Sequence, residues 1–323
     1  MKHTRLIAIA ALGLLLMASC STDDGGNPTS AMGEDIQVTT HVSDVVTRGI
    51  FETATLQNFG ICIEGKDDVA SLLYNNVKMA KEDDGKWASS VEMIWPSAIP
   101  TADIIAYAPY QAEATRDLAS KKLIPVSVKS VQTKEDKSSD FLVFKANGYS
   151  PTSIDENNTK RIDINFDHAM SQLFVTFNFS SEFTNADVDL SKIEDVAVDG
   201  SVLDGICDFT QEKPIVGVKP ESSAERITPE QDSFQEKDEH HANIIARYSC
   251  LLIPQSIAVV DKPLTVSFRL GSTTYTWKSA ADITLDQGKF YTLSLNIKKQ
   301  NAVMEGNIKP WEEVSNDKEQ IID

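Results

Sequence analysis

The residue best placed to do chemistry is Cys20. It closes the run Met17-Ala18-Ser19-Cys20 and is followed by Ser21-Thr22-Asp23-Asp24. Ahead of it lie a short positive segment with Lys2 and Arg5 and an apolar stretch from Leu6 to Met17. That stretch is too short to cross a bilayer as a stable helix and suits the apolar region of an export signal. Small residues leading into a cysteine form the pattern at which bacterial processing cuts and attaches lipid, with Met17 where Leu is usual. Residues 1–19 are expected to be a lipoprotein signal peptide, and Cys20 the lipidated N-terminus. The alternative is an ordinary secretory signal with a chance cysteine near the cut. Each buried acyl methylene contributes ~0.8 kcal/mol, so an acylated cysteine holds a protein on a membrane without a spanning helix.

Other candidate residues offer weaker chemistry. Cys62, Cys207 and Cys250 are odd in number, so at least one thiol stays unpaired, and their spacing fits neither a CxxC pair nor a zinc pattern. Cys62 in Phe59-Gly60-Ile61-Cys62-Ile63 and Cys250 in Cys250-Leu251-Leu252-Ile253 read as small hydrophobes of buried strands. A single Cys207–Cys250 disulfide is the alternative. Asp238-Glu239-His240-His241 has metal-binding residue types, but neighbouring histidines on one loop point apart. Asp155-Glu156-Asn157-Asn158 lacks the alternate spacing of a calcium loop. His168, at a strand end, reads as a hydrogen-bonded structural histidine. The sequence has no Gly-x-Ser-x-Gly, HExxH, phosphate loop or EF-hand loop. We therefore expect no catalytic residues, metal or cofactor, and a protein that is not an enzyme. The net charge of −18, from 48 acidic against 30 basic residues, argues against nucleic acid and anionic lipid as partners. Removal of residues 1–19 takes Lys2 and Arg5 and makes the remainder more acidic still.

The elements that must position these residues follow a period of two. Ser21 to Glu34 is rich in Asp, Gly, Ser, Thr and Pro, so residues 20–34 read as a flexible tether spanning ~20 Å as a coil. From Asp35 the chain alternates: Ile36, Val38, Thr40 and Val42 against Gln37, Thr39 and His41. Leu173 to Phe179 and Tyr291 to Ile297 do the same, and Leu264 to Leu270 runs through Gly271 into Tyr275 and Trp277 as a hairpin. Only Ala112–Leu118 and Thr184–Leu190 look like single helical turns. Many short strands with turn residues between them predict an all-β protein of β-sandwiches. The polar stretch Ala146–Lys160 reads as an interdomain connection, and Glu221–His241 as a long surface loop. The expected domains are residues 35–158 and 159–323.

Taken in order, several short elements carry a family resemblance. They are Thr47-Arg48 leading to Phe51, Trp95-Pro96, Ile104-Ile105-Ala106-Tyr107-Ala108-Pro109, Asn165-Phe166-Asp167-His168-Ala169-Met170-Ser171, Leu252-Ile253-Pro254-Gln255, Gly288-Lys289-Phe290-Tyr291 and Ile308-Lys309-Pro310-Trp311. Through them the chain resembles the fimbrillin (Mfa-like) family of Bacteroidetes pilus lipoproteins, the type V pilins. The resemblance implies two tandem transthyretin-like β-sandwich domains. It also implies a precursor on the cell outer membrane that assembles with other pilin subunits into a surface fimbrium. Asp23-Asp24 is similar to the surface-export signals of such lipoproteins, or is simply solvated linker.

A concrete expectation follows for assembly. Asp35–Val46 would be the first strand, with Ile36, Val38 and Val42 facing the core, and Thr47-Arg48-Gly49 an exposed loop cut after Arg48 by a trypsin-like protease. Once cut, the strand could be displaced by one from a neighbour. The alternatives are a plain strand-end arginine, and a non-polymerising surface lipoprotein that binds a host or bacterial glycan or protein. A stalk subunit of this family is expected to offer a C-terminal donor strand. Here the tail after Trp311 holds only Val314, Ile321 and Ile322 as aliphatic residues, so Asn301–Trp311 reads as the domain's own last strand. A tip or anchor role is then favoured over stalk.

Overall fold

A computed structural model describes residues 33–43, 51–65, 72–155, 159–299 and 303–310. The signal segment, Cys20, the tether up to Met32, Arg48, Gly49, Glu156–Asn158 and the chain from Trp311 onward lie outside the described residues. Strand makes up 57% of the described residues, and the one α-helix among them is Thr115–Lys121. The period of two predicts this balance.

The first sheet has nine strands. Its path runs Trp87–Ser89, Leu72–Lys81, Asn58–Gly65, Ala102–Ala108, Leu142–Tyr149, Lys160–His168, Gly33–Val42, Ile94–Pro96, with Thr152–Ser153 also beside Lys160–His168. The ladder between Leu142–Tyr149 and Lys160–His168 is only two pairs long, Asp167 with Val143 and His168 with Leu142. There the sheet turns over, and its two arms close on one core of Val38, Val42, Phe59, Ile61, Ile104 and Phe166. The second sandwich packs Glu230–Gln235, Ile244–Leu252, Ser171–Phe179, Phe290–Lys298 and Val303–Pro310 against Ala224–Ile227, Ile193–Val202, Thr265–Leu270 and Thr273–Lys278. Phe268 anchors its core, with ring centroids of Phe177, Tyr275 and Phe179 at 4.5, 4.9 and 5.8 Å. The hairpin through Gly271 forms as predicted, with that glycine at φ +61°.

The two sandwiches are not separated by a linker. Cys62, Ile105, Tyr107, Phe141 and Val143 belong to the second core, not the first. These residues alternate along their strands with side chains that face the first core, so one sheet is wall to both. Leu123–Ser127 strengthens the join by pairing with Asp204–Asp208 across the two halves of the sequence.

Three sequence expectations need correction. Ala146–Lys160 is not an open connection: Ala146 to Tyr149 ends the strand Leu142–Tyr149, and Gly148 at φ +64° lets its chain bend without leaving the sheet. The strand Lys160–His168, expected in the second sandwich, is bonded into the first sheet. Glu221–His241 carries two strands, Ala224–Ile227 and Glu230–Gln235, rather than a loop. Both are edge strands with several water-facing side chains, which suppresses the apolar alternation that identifies interior strands. The first strand also starts earlier than Asp35, at Gly33.

Candidate functional site

The strand Gly33–Val42 is the segment that chemistry at Arg48 would act on. Its sequence, Gly33-Glu34-Asp35-Ile36-Gln37-Val38-Thr39-Thr40-His41-Val42, is rich in β-branched residues and alternates, which fits a pleated surface with one wet side. Val38 and Val42 are 7% and 2% exposed, and Ile36 is half-buried against the same core. The structure therefore places all three predicted residues on one face. The strand runs parallel to Lys160–His168 from Ile36 opposite Lys160 to Val42 opposite Phe166. Its other edge pairs only at Gly33, Glu34 and Asp35, with Ile94–Pro96. From Ile36 to Val42 that edge has no strand beside it among the described residues.

Polar contacts fix the register. Lys160 Nζ lies 2.9 Å from Glu34, the Thr39 hydroxyl donates to Asp163, and Trp87 Nε1 donates to Thr40 Oγ1 at 3.1 Å. The Ile36 N–H reaches Met93 O at 3.2 Å. Trp87 is thus more than the core filler its bulk suggests, since its indole N–H reads a hydroxyl on the strand.

The chain leaves and re-enters this region through pinned ends. At the exit, the Val42 N–H donates to Thr53 Oγ1 and the Ser43 N–H to Phe166 O, both at 2.9 Å. At the return, the Phe51 N–H donates to Asp140 Oδ2 at 2.8 Å. Asp140 is wholly buried and also meets His168 Nδ1 at 3.0 Å. Burial alone would depress the His168 imidazolium. The Asp140 carboxylate beside it, with smaller help from Asp167 and the Ser43 backbone, outweighs burial and holds its pKa above the ordinary value. His168 is the hydrogen-bonded histidine its strand-end position predicts. Asp140 was not legible: it sits in Lys137-Ser138-Ser139-Asp140, a stretch whose composition reads as solvated loop. The segment that holds Arg48 and Gly49 is bracketed by these anchors.

The other chemical candidates resolve as follows. Cys62, Cys207 and Cys250 are free and buried, so the alternative Cys207–Cys250 disulfide is not formed. Burial pushes the Cys62 thiol up to about 11 and the Cys250 thiol up to about 12, and raises Cys207 as well. All three are poor nucleophiles at neutral pH. His241 Nδ1 lies 2.8 Å from Asp238 in an exposed turn. Among the described residues no group of three or more His, Cys, Asp or Glu side chains could hold a metal ion.

The geometry is that of an all-β protein whose two sandwich cores share one sheet, with a first strand that buries Val38 and Val42 and is paired along only one side from Ile36 to Val42. The family model for fimbrillin-like proteins matches residues 45–311, and the chain belongs to that family. No curated protein sequence matches the chain. Among solved structures, it is similar to a candidate cell adhesion protein from Bacteroides uniformis, at 17% identity and TM-score 0.58, covering 88% of this chain and 99% of that one. A second candidate cell adhesion protein, from Bacteroides ovatus, is 19% identical with TM-score 0.56, covering 87% and 96%. At such identities the likeness speaks for the fold.

Proposed function

We propose that the chain is the lipid-anchored precursor of a fimbrial subunit, assembled by strand exchange. In this reading Cys20 carries the lipid that holds the precursor at the outer membrane, facing outward, and proteolysis after Arg48 frees Gly33–Val42. The observation that carries it is the placement of that strand: unpaired on one side from Ile36 to Val42 among the described residues, it plugs the first core with Val38 and Val42, and Arg48-Gly49 follows six residues on in the sequence. Burying an aliphatic side chain contributes roughly 1.5–3 kcal/mol, so the strand stays in place while covalently attached. As a separate peptide it can be replaced by a strand from another subunit. The family's pilin partners and cell-surface location support this reading.

The last strand favours a terminal subunit, tip or anchor, over a stalk. Val303–Pro310 is bonded along its whole length into its own sheet, and residues 312–323 carry only Val314, Ile321 and Ile322 as aliphatic residues. Mass spectrometry of the surface form tests the proposal directly. We expect lipid on Cys20 in the precursor and an N-terminus at Gly49 in assembled protein. Arg48→Ala should leave lipidated precursor on the membrane and no incorporation into filaments. Assembly of a form that keeps residues 33–48 would exclude strand exchange at this end.

A further inference from the structure

The face of the first sheet turned away from the first strand holds a cavity of about 250 Å³. Alternation puts it there. Ile61, Ile63 and Ile104 point into the first core, so Cys62, Glu64, Asp103 and Ile105 point the other way. The ladders then set these outward residues side by side: Glu64 opposite Asp103, Cys62 opposite Ile105, and Ile105 opposite Lys145. The helix Thr115–Lys121 contributes Leu118, its C-cap contributes Lys122, and the second half of the chain contributes Phe209 and Thr210. The floor is apolar, from Ile105, Leu118 and Phe209. The rim is polar, from Glu64, Asn75, Asp103 and Asn147.

The rim is charge-balanced and held in place before any ligand arrives. Lys122 Nζ sits 2.5 Å from Glu64 Oε2. Lys145 Nζ donates to the carbonyls of Phe209 and Gln211 at 2.8 and 2.6 Å. Asp103 accepts the Gly148 N–H at 2.6 Å, and Asn75 Nδ2 donates to Thr115 O at 3.0 Å. Both ammonium groups are therefore engaged by the protein, and two carboxylates balance two lysines. A charged ligand would have to break the Lys122–Glu64 pair or compete with the carbonyls that hold Lys145. Carboxylate and amide oxygens carry two lone pairs each and can accept from a hydroxyl in addition to their protein partners. The volume lies below the ~300–1,000 Å³ of pockets for drug-sized ligands, which suits one ring rather than a chain.

We propose that this cavity binds a single neutral sugar ring, its C–H face on Ile105, Leu118 and Phe209 and its hydroxyls on Glu64, Asp103, Asn75 and Asn147. The cavity shares no residue with the strand Gly33–Val42, and the proposal stands apart from strand exchange. The test is NMR titration of the full chain in detergent with the methyl glycosides of glucose, galactose, mannose, fucose, xylose and N-acetylglucosamine, each to 50 mM. At least one should shift the Gly148 amide saturably with a millimolar Kd, while methyl glucuronide and a methyl sialoside should not. Asp103→Asn and Asn147→Ala should each weaken binding about tenfold with the melting temperature unchanged. Asn147 is exposed at the rim, so its variant decides the matter if Asp103→Asn fails to fold. No saturable shift with any neutral glycoside, equal binding of the charged ones, or unaltered binding by the Asn147 variant would overturn the proposal.

Discussion

The first and last described strands are both terminal, one next to the end of its sheet and the other at the end of its own, yet they are held in different ways. Gly33–Val42 lies parallel to its main partner, is pinned by a few side-chain hydrogen bonds, and buries two valines fully. Val303–Pro310 is antiparallel to Phe290–Lys298 over its full length, from Val303 opposite Lys298 to Pro310 opposite Tyr291. Met304 is buried, Lys298 bridges to Glu305 at 3.0 Å, and Trp277 Nε1 donates to Gly306 O at 3.0 Å. A Cβ added at Gly306 would stand 2.1 Å from Ser294 O, so the two backbones meet with no room between them. The contrast separates a strand paired along one side from Ile36 to Val42 from one locked into its ladder at every residue.

The sharpest way to break the contrast is at that close approach. Gly306→Val should cost ~3 kcal/mol or more, at the upper end of overpacking, and lower the melting temperature of the whole molecule. A variant melting within 1 °C of the parent (an illustrative threshold well under the ~2–4 °C per kcal/mol expected for a chain of this size) would show that the last strand is no more integral than the first.

Next in size, Val42→Ala should cost ~2 kcal/mol through lost transfer energy and a residual cavity. The effect should be local: amide exchange across Ile36–Val42 should quicken by roughly thirtyfold, at 1.36 kcal/mol per factor of ten, while Val303–Ile308 stays protected. Equal quickening at both ends would erase the distinction.

The His168–Asp140 contact adds a dependence on pH to the first region. The folded pKa of His168 is raised above 6.5, so its stabilisation is fully present below that value and is lost as pH rises through the higher folded pKa. The melting difference between the parent and His168→Gln should therefore be larger at pH 5.5 than at pH 9. A difference that grows with rising pH would reverse the assignment. The smallest effect belongs to Trp87→Phe, which keeps most of the ring and removes the donor to Thr40. It should cost ~0.5–1.5 kcal/mol and should quicken exchange in the first strand only.

Much of this was legible in the sequence. Ile36, Val38 and Val42 share a face because a strand alternates, and the burial of Cys62 and Cys250 follows from their apolar neighbours. Pairing was not legible. Nothing local tells Val42 to lie opposite Phe166, or Leu123–Ser127 to find Asp204–Asp208, because those registers are set by packing between distant segments. The same holds for the cavity. Alternation puts Glu64 and Asp103 each on an outward face, but only the ladder sets them opposite one another. The polar edge strands Ala224–Ile227 and Glu230–Gln235 escaped for the converse reason: having water along much of their surface, they had little apolar pattern to show.

The wall shared between the two cores has a consequence for the shape of the first core. Its arm of Asn58–Gly65, Ala102–Ala108 and Leu142–Tyr149 is held from behind by Cys62, Ile105, Tyr107 and Val143. Its other arm, Lys160–His168, runs directly into Ala169 and Met170, which are buried in the second core. Both sides of the slot occupied by Gly33–Val42 are thus braced by packing in which that strand takes no part. The second sandwich serves as the mount of a mould, fixing the walls between which the first strand is cast.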